Sequence, residues 1–111
     1  MRKITNDSVS AFFAARNFKR SNMEVVVEPN VTIMKLHGNS IAFRYNDPER
    51  TLSITNCGWQ SNTTKERLNG ILDHLGMDRI RQRNFVWYLG EHVWEGQLID
   101  VVKLAKDLAV K

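Results

Sequence analysis

The sequence predicts an α+β fold: an antiparallel β-sheet meander with two to three helices packed on one face, in the order α-ββββ-α-βββ-α. Three observations carry this. Apolar residues recur at helical spacing near both ends of the chain and once in its middle, at Val9/Phe12/Phe13, Leu68/Ile71/Leu72/Leu75 and Val101/Val102/Ala105/Leu108. Between the first two of these, residues 23–57 change to strict alternation of apolar and polar side chains, the period of a strand. The connections within that stretch are short turns, which suit antiparallel neighbours, because a parallel crossover takes about a dozen residues or more.

The first helix is expected over roughly 7–17. Asn6 or Asp7 can accept from the open N–H groups of its first turn, and Ala11, Ala14 and Ala15 support it by propensity. Arg16, Lys19 and Arg20 stand at or just past its end, where cations suit the negative end of the helix dipole. Met23, Val25 and Val27 alternate with Glu24 and Glu28 in the first strand, and Pro29-Asn30 supplies turn chemistry. Val31 and Ile33 alternate with Thr32 and Lys35 in the second, and His37-Gly38-Asn39 marks the next reversal. Ile41, Phe43 and Tyr45 alternate with Ala42 and Arg44 in the third. A polar turn over 46–50 leads to a fourth strand, Thr51 to Cys57, with Leu52 and Ile54 on one face.

Gly58 to Asn62 forms a loop carrying Trp59. The run Thr63-Thr64-Lys65-Glu66 fits a capping box, with Thr63 and Glu66 satisfying each other's backbone donors. The second helix follows, and Gly76 is placed as its left-handed stop. Arg79 to Gln82 and Phe85 to Leu89 read as short strands joined at Arg83-Asn84, and Gly90-Glu91 turns the chain into His92-Val93-Trp94. The last segment, about 96–109, is amphipathic: Leu98, Val101, Val102, Ala105 and Leu108 share a stripe, and Asp100, Lys103, Lys106 and Asp107 oppose it. Ile99 and Leu104 lie off that stripe. Such a helix either sinks deeply into the fold or buries its second side against another copy or a partner, so a homodimer through this helix is one expectation. With no linker or composition break, residues 1–111 read as a single domain, with 96–111 as a C-terminal helical extension.

Composition excludes several classes. With 42% hydrophobic and 25% charged residues, the chain is neither disordered nor fibrous. No apolar run approaches the roughly 18–20 residues that span a bilayer, and Met1-Arg2-Lys3-Ile4-Thr5 leads into no signal-type core, so no membrane association is expected. A lone cysteine, Cys57, forms no internal disulfide and builds no Cys-rich zinc site. It precedes Gly58 at a strand end, but no spacing pairs it with His37, His74 or His92, so it reads as a small buried hydrophobe. The glycines are isolated, without a phosphate-loop or dinucleotide fingerprint. No enzyme activity, cofactor or metal is therefore expected.

The basic residues carry the sharper suggestion. There are 16 Lys and Arg against 12 Asp and Glu, a net charge of +4, with acids interspersed throughout. Ser61, Asn62, Thr63 and Thr64 open the second helix, where exposed N–H groups attract anions. Lys65 and Arg67 place cations in that same turn against the dipole, a conflict that phosphate binding would resolve. The competing reading is an ordinary capped helix whose cations face solvent. Arg79, Arg81 and Arg83 alternate along an extended segment, followed closely by Phe85, Trp87, Tyr88 and Trp94. Arginines beside aromatics are the composition of a single-strand platform, although aromatics of a short strand pair also serve as its core face. A double-stranded-RNA-binding module fits poorly, since four strands rather than three precede the second helix.

Two stretches, Leu36-His37-Gly38-Asn39-Ser40-Ile41-Ala42 and Ile54 through Gly70, together with Val86-Trp87-Tyr88-Leu89 and Trp94, resemble a set of small proteins encoded by tailed bacteriophages. The resemblance covers most of residues 1–95. It implies a phage origin and a host-cytoplasm setting, and it carries over no catalytic residue. The expectation is a small non-enzymatic phage protein that binds nucleic acid or a nucleic-acid-handling host machine. Lys65, Arg67, Arg79, Arg81 and Arg83 would meet phosphate, Thr63 and Thr64 would line the anion site, and Trp59 would stack. The alternative is an inhibitor or modulator of a host enzyme or anti-phage defence system, acting through exposed aromatics and the terminal helix. The first expectation requires the cations to gather on one patch of the folded chain.

Overall fold

The computed structural model describes residues 2–109, with side chains as far as residue 107. The element order is that expected, α-β-rich-α-β-rich-α, with one strand added at each end of the meander. Helix α1 runs Lys3–Ala14, earlier than the sequence predicts. Asn6 and Asp7 cap nothing, because they lie inside the helix; Arg2 precedes it in extended conformation without a side-chain cap. The helix ends where Ala15 turns left-handed (φ 53°) and Arg16 N–H reaches back to Ala11 C=O at 2.9 Å. That stop turns residues 18–20, just past the predicted helix, into strand β1 (Phe18–Arg20), which pairs with β2 (Met23–Val27) through Phe18↔Val25 and Lys19↔Glu24. Lys19 and Arg20 thus serve a hairpin rather than the helix dipole. Arg20 Nη2 instead meets Asp7 Oδ2 at 2.6 Å, and Lys3 Nζ reaches the same carboxylate at 3.1 Å.

Strands β3 (Val31–Leu36), β4 (Asn39–Tyr45) and β5 (Leu52–Ile54) complete the meander. Its inward faces in β3 and β4 are not the ones that the apolar residues mark by spacing. In β3 it is Thr32, Met34 and Leu36 that are buried, with Val31 and Ile33 on the other side. A bulge between Met34 and Lys35 leaves Ile41 without a register partner, so Ile41 and its neighbour Ala42 both enter the core. One extra residue reverses the pleat beyond it. Phe43 and Tyr45 therefore stack on the outer face (6.4 Å), and Arg44 turns under α1 to donate to Phe12 and Phe13 C=O at its C-terminus. Across the far edge, β9 (Ile99–Asp100) pairs with β5, giving a six-stranded sheet in the order β1-β2-β3-β4-β5-β9.

Helix α2 (Asn62–His74) packs with α1 over this sheet, burying Phe12, Met23, Met34, Ile54, Leu68 and Leu72 in one core. The last strands do not extend the large sheet. Strands β6 (Ile80–Arg83), β7 (Val86–Leu89) and β8 (His92–Val93) form a separate three-stranded sheet. The Asn69 amide on α2 takes the place of a neighbouring strand for β6: it accepts from Ile80 N–H (2.6 Å) and donates to Ile80 C=O (3.1 Å). The terminal helix α3 (Val101–Ala109) begins later than predicted, because Ile99 and Asp100 are used in β9. Asp100 Oδ1 then accepts from Lys103 N–H at 3.0 Å. Ile99 and Leu104, off the stripe by spacing, are turned against the core, whereas Leu98 is exposed; the Leu108 side chain lies outside the described residues. Among the described residues no helix is long and apolar enough to cross a membrane.

Two carboxylates, one joining α1 to β1 and one closing the 47–51 turn, contribute to the acid response. The bonds from Arg20 and then Lys3 hold the Asp7 carboxyl below its ordinary range, and hydrogen bonds from Thr51 do the same for Asp47. Both groups bind fewer protons folded than unfolded, so the stability they add is complete above about pH 4 and is lost as pH falls through their lowered folded values. Urea unfolding at pH 7 and pH 3 should show the Asp7→Asn/Asp47→Asn double variant losing less stability on acidification than the parent. Parallel losses would remove these residues from the acid response.

Candidate functional site

The expected phosphate ligands do not form one patch. Arg67 is the plainest correction: it is 2% exposed and points into the joint between α1 and α2. Its Nη1 donates to Thr5 Oγ1 at 2.6 Å and to Glu66 Oε1, and its Nη2 approaches Asn22 Oδ1 at 3.4 Å. Burial pushes its pKa down, and the adjacent Glu66 carboxylate counters that. Thr5 Oγ1 donates in turn to Glu66 Oε1, and Arg2 lies 3.6 Å from the other carboxylate oxygen. A guanidinium sealed in this way is a clamp between two helices and the β1–β2 turn, and it cannot meet a phosphate.

The capping box also changes hands. Ser61 caps α2, accepting from Thr64 N–H at 3.1 Å, and the Ser61 and Thr64 hydroxyls bond each other at 2.9 Å. Glu66 is thereby released from capping to the Arg67 cluster. Thr64 is buried with its hydroxyl committed, while Thr63 remains partly exposed on the first turn. Lys65 Nζ donates to Gln82 Oε1 (3.2 Å), linking α2 to β6. Arg79 lies against Asp73 on α2 at 3.2 Å, which neutralises it.

Arg81 and Arg83 do share a surface. The β6–β7 register pairs Arg81 with Tyr88 and Arg83 with Val86, and β8 sets Val93 beside Tyr88. These side chains occupy the outer face of the small sheet, because Ile80, Trp87 and Leu89 turn inward and are buried. The Arg83 guanidinium lies 5.5 Å over the Tyr88 ring, a cation–π contact. Neither arginine makes an ion pair among the described residues. Gly90 and Glu91 border the shallow depression that they line.

Of the aromatics, Trp87 and Trp94 belong to the core, with ring centres 6.1 Å apart, and Tyr88 faces outward. Phe85, assigned to a strand by sequence, is a turn residue: Asn84 and Phe85 both have positive φ (52° and 64°), the backbone of a tight hairpin turn. Its ring stands 88% exposed at the tip. Nothing in the sequence marks it, since a phenylalanine rarely occupies that conformation. Gln60 Nε2 donates to Phe85 C=O at 2.7 Å, which fastens the loop bearing the 61%-exposed Trp59 to this hairpin tip.

Trp59, Thr63 and Thr64 come together elsewhere, around a cavity of about 340 Å³ between the β3–β4 turn and the start of α2, with Leu36, Ile41 and Asn56. Cys57 lies beside it. The cysteine is exposed rather than buried, its thiol donates to Ser40 C=O at 2.8 Å, and partial burial of the sulfur pushes its pKa up. The thiolate that a nucleophile requires is therefore disfavoured. His74 is stacked on Phe13 at 3.9 Å, away from it. Among the described residues no three His, Cys, Asp or Glu side chains converge as a metal site would need.

Residues 1–102 match the family model described as Kyanoviridae Gp96 protein. No curated protein and no solved structure matches the chain.

Proposed function

Because the chain belongs to the Kyanoviridae Gp96 protein family, a family of phage proteins, we propose that it works in the cytoplasm of the infected bacterium as a non-enzymatic module that binds a single-stranded nucleic acid. The observation that carries this is the outer face of the small sheet, where Arg81 and Arg83 flank Tyr88 without any carboxylate ion pair among the described residues. Guanidiniums that track phosphates beside rings that stack on bases are the working parts of a single-strand platform. The exposed Phe85 and Trp59, joined through Gln60, continue the aromatic surface at its end. Of the residues anticipated from sequence, Arg81, Arg83 and Trp59 keep their roles in this reading, Lys65 borders it, and Arg67 and Arg79 drop out.

The test is fluorescence anisotropy with labelled single- and double-stranded oligonucleotides at two salt concentrations. The expected result is preference for the single strand and a steep salt dependence. In an Arg81→Ala/Arg83→Ala variant the log–log salt slope should shrink by about 1 to 1.5, the share of two phosphate contacts on a single strand. Absence of binding at low salt would discard the reading. The second reading, an inhibitor or modulator of a host enzyme or defence system, then takes its place. It draws on Phe85, whose apolar ring on a rigid turn suits insertion into a protein pocket.

A further inference from the structure

We infer that the cavity under Trp59 is a subsite for one nucleobase of the bound strand, an inference that rests on the single-strand reading for its natural ligand. The cavity's size, about 340 Å³, is at the small end for ligand sites and suits a single ring system better than a whole cofactor. Its floor is apolar, Leu36 and Ile41, and its mouth carries the Trp59 indole, exposed over 61% of its surface. A slot with an apolar floor and an aromatic wall is what a base face seeks on leaving water.

The polar groups at this cavity are those that read base edges. Asn56 is 3% exposed and its Oδ1 accepts from Gly58 N–H at 2.8 Å. Its NH₂ has no acceptor among the described residues, yet it is not among the buried atoms sealed away from solvent. Asn39, at the start of β4, and Thr63 also line the cavity, and neither side chain makes a hydrogen bond among the described residues. Amides offer a donor and an acceptor in one plane, the arrangement that pairs with a base edge. None of the lining residues is Lys or Arg, and His37 at the rim adds one more planar polar edge. The ligand that fits is planar, largely apolar on its faces and polar at its rim. The link to the arginine face runs through the Gln60–Phe85 bond, so a strand crossing the hairpin tip would bring one base to the Trp59 loop.

The experiment compares a labelled single strand with one of equal length and charge whose bases are replaced by abasic spacers. For the parent protein, the intact strand should bind about tenfold tighter or more, the effect of one stacked base. That ratio should fall severalfold in Trp59→Ala and in Asn39→Ala, with the salt slope unchanged in both and the remainder owed to stacking on Tyr88 and Phe85. A ratio untouched by both variants overturns the subsite while leaving the arginine platform standing. Equal binding of intact and abasic strands by the parent overturns base stacking at the cavity and on Tyr88 alike. If neither strand binds, the platform itself has failed, and nucleosides, which carry no phosphate, decide the cavity alone. Saturable quenching of the emission that Trp59→Ala removes would support a base site. A flat response through the millimolar range would overturn it.

Discussion

Replacing Arg67 by alanine should lower the unfolding free energy by about 3 kcal/mol or more, which for a domain of this size is a fall in Tm of about ten degrees or more. The residue is 2% exposed and its charge is held by Glu66, Thr5 and Asn22, which come from α2, α1 and the β1–β2 turn. Truncation leaves a void where α1 meets α2, removes the partner of a carboxylate that is itself partly covered, and leaves Thr5, which is fully buried, without its charged donor. Leaving such groups unsatisfied is the costly half of a buried polar network. Arg67→Met should lose less, because it refills the volume and Glu66 keeps Arg2 at 3.6 Å. Thermal and urea unfolding of the three proteins at neutral pH measure this. A change within about 0.5 kcal/mol for Arg67→Ala, the size of an ordinary surface substitution, would contradict the clamp. The folded fraction of the variant should bind oligonucleotides as the parent does, since Arg67 faces away from them.

The contrast between Arg67 and Arg81 shows what a sequence can and cannot disclose about this protein. Period-2 alternation puts Arg81 and Arg83 on one side of an extended segment, because pleating fixes side-chain direction locally. The spacing ends that strand at Gln82, whereas the structure carries it through Arg83. Arg67 sits at a helical position flanked by Thr63, Thr64 and Lys65, and only the approach of α1 decides that it is buried; its partner Thr5 is 62 residues away in sequence. The same division holds for the fold. Helix α2 is legible to within two residues, since a polar start, an i, i+3, i+4, i+7 stripe and a terminal glycine all agree, while its cap falls on Ser61 rather than Thr63. The end of α1 is not, because Ala15 takes a left-handed conformation that glycine usually signals. The bulge at Met34/Lys35 is likewise silent, and it alone sends Ile41 and Ala42 inward together. The split into two sheets follows from Asn69 closing the edge of β6, a side-chain role that no periodicity reveals. For the candidate site, the exposure of Trp59 and its union with Thr63 and Thr64 depend on how the loop crosses the β3–β4 turn.

Gly96→Ala should be as damaging as Arg67→Ala, about 3 kcal/mol or more, although it adds only one methyl group, at a buried loop position. Gly96 has φ +89°, which strains any L-residue, and a Cβ there would lie 2.0 Å from Asn56 Nδ2 and 2.1 Å from Asn56 Cγ. Asn56 cannot yield cheaply. It is buried, its Oδ1 holds Gly58 N–H, and its own N–H donates to Gly96 C=O at 3.0 Å, where the Thr55 hydroxyl also donates at 2.8 Å. Moving the amide therefore breaks the contact that shapes the 55–58 turn and the seat of residues 96–97, on which the Trp94 indole N–H rests through Gln97 C=O. Gly58→Ala is the matched control. It shares the positive φ (+83°) but has nothing within 4 Å of the added Cβ, so it bears the backbone strain alone, about 1 kcal/mol. Equal destabilisation of the two variants in urea titration would mean that Asn56 moves aside without loss. A much larger effect at Gly96 would establish that the Asn56 amide is held rigidly, and a rigid amide at the back of the Trp59 cavity is what a base-reading contact requires.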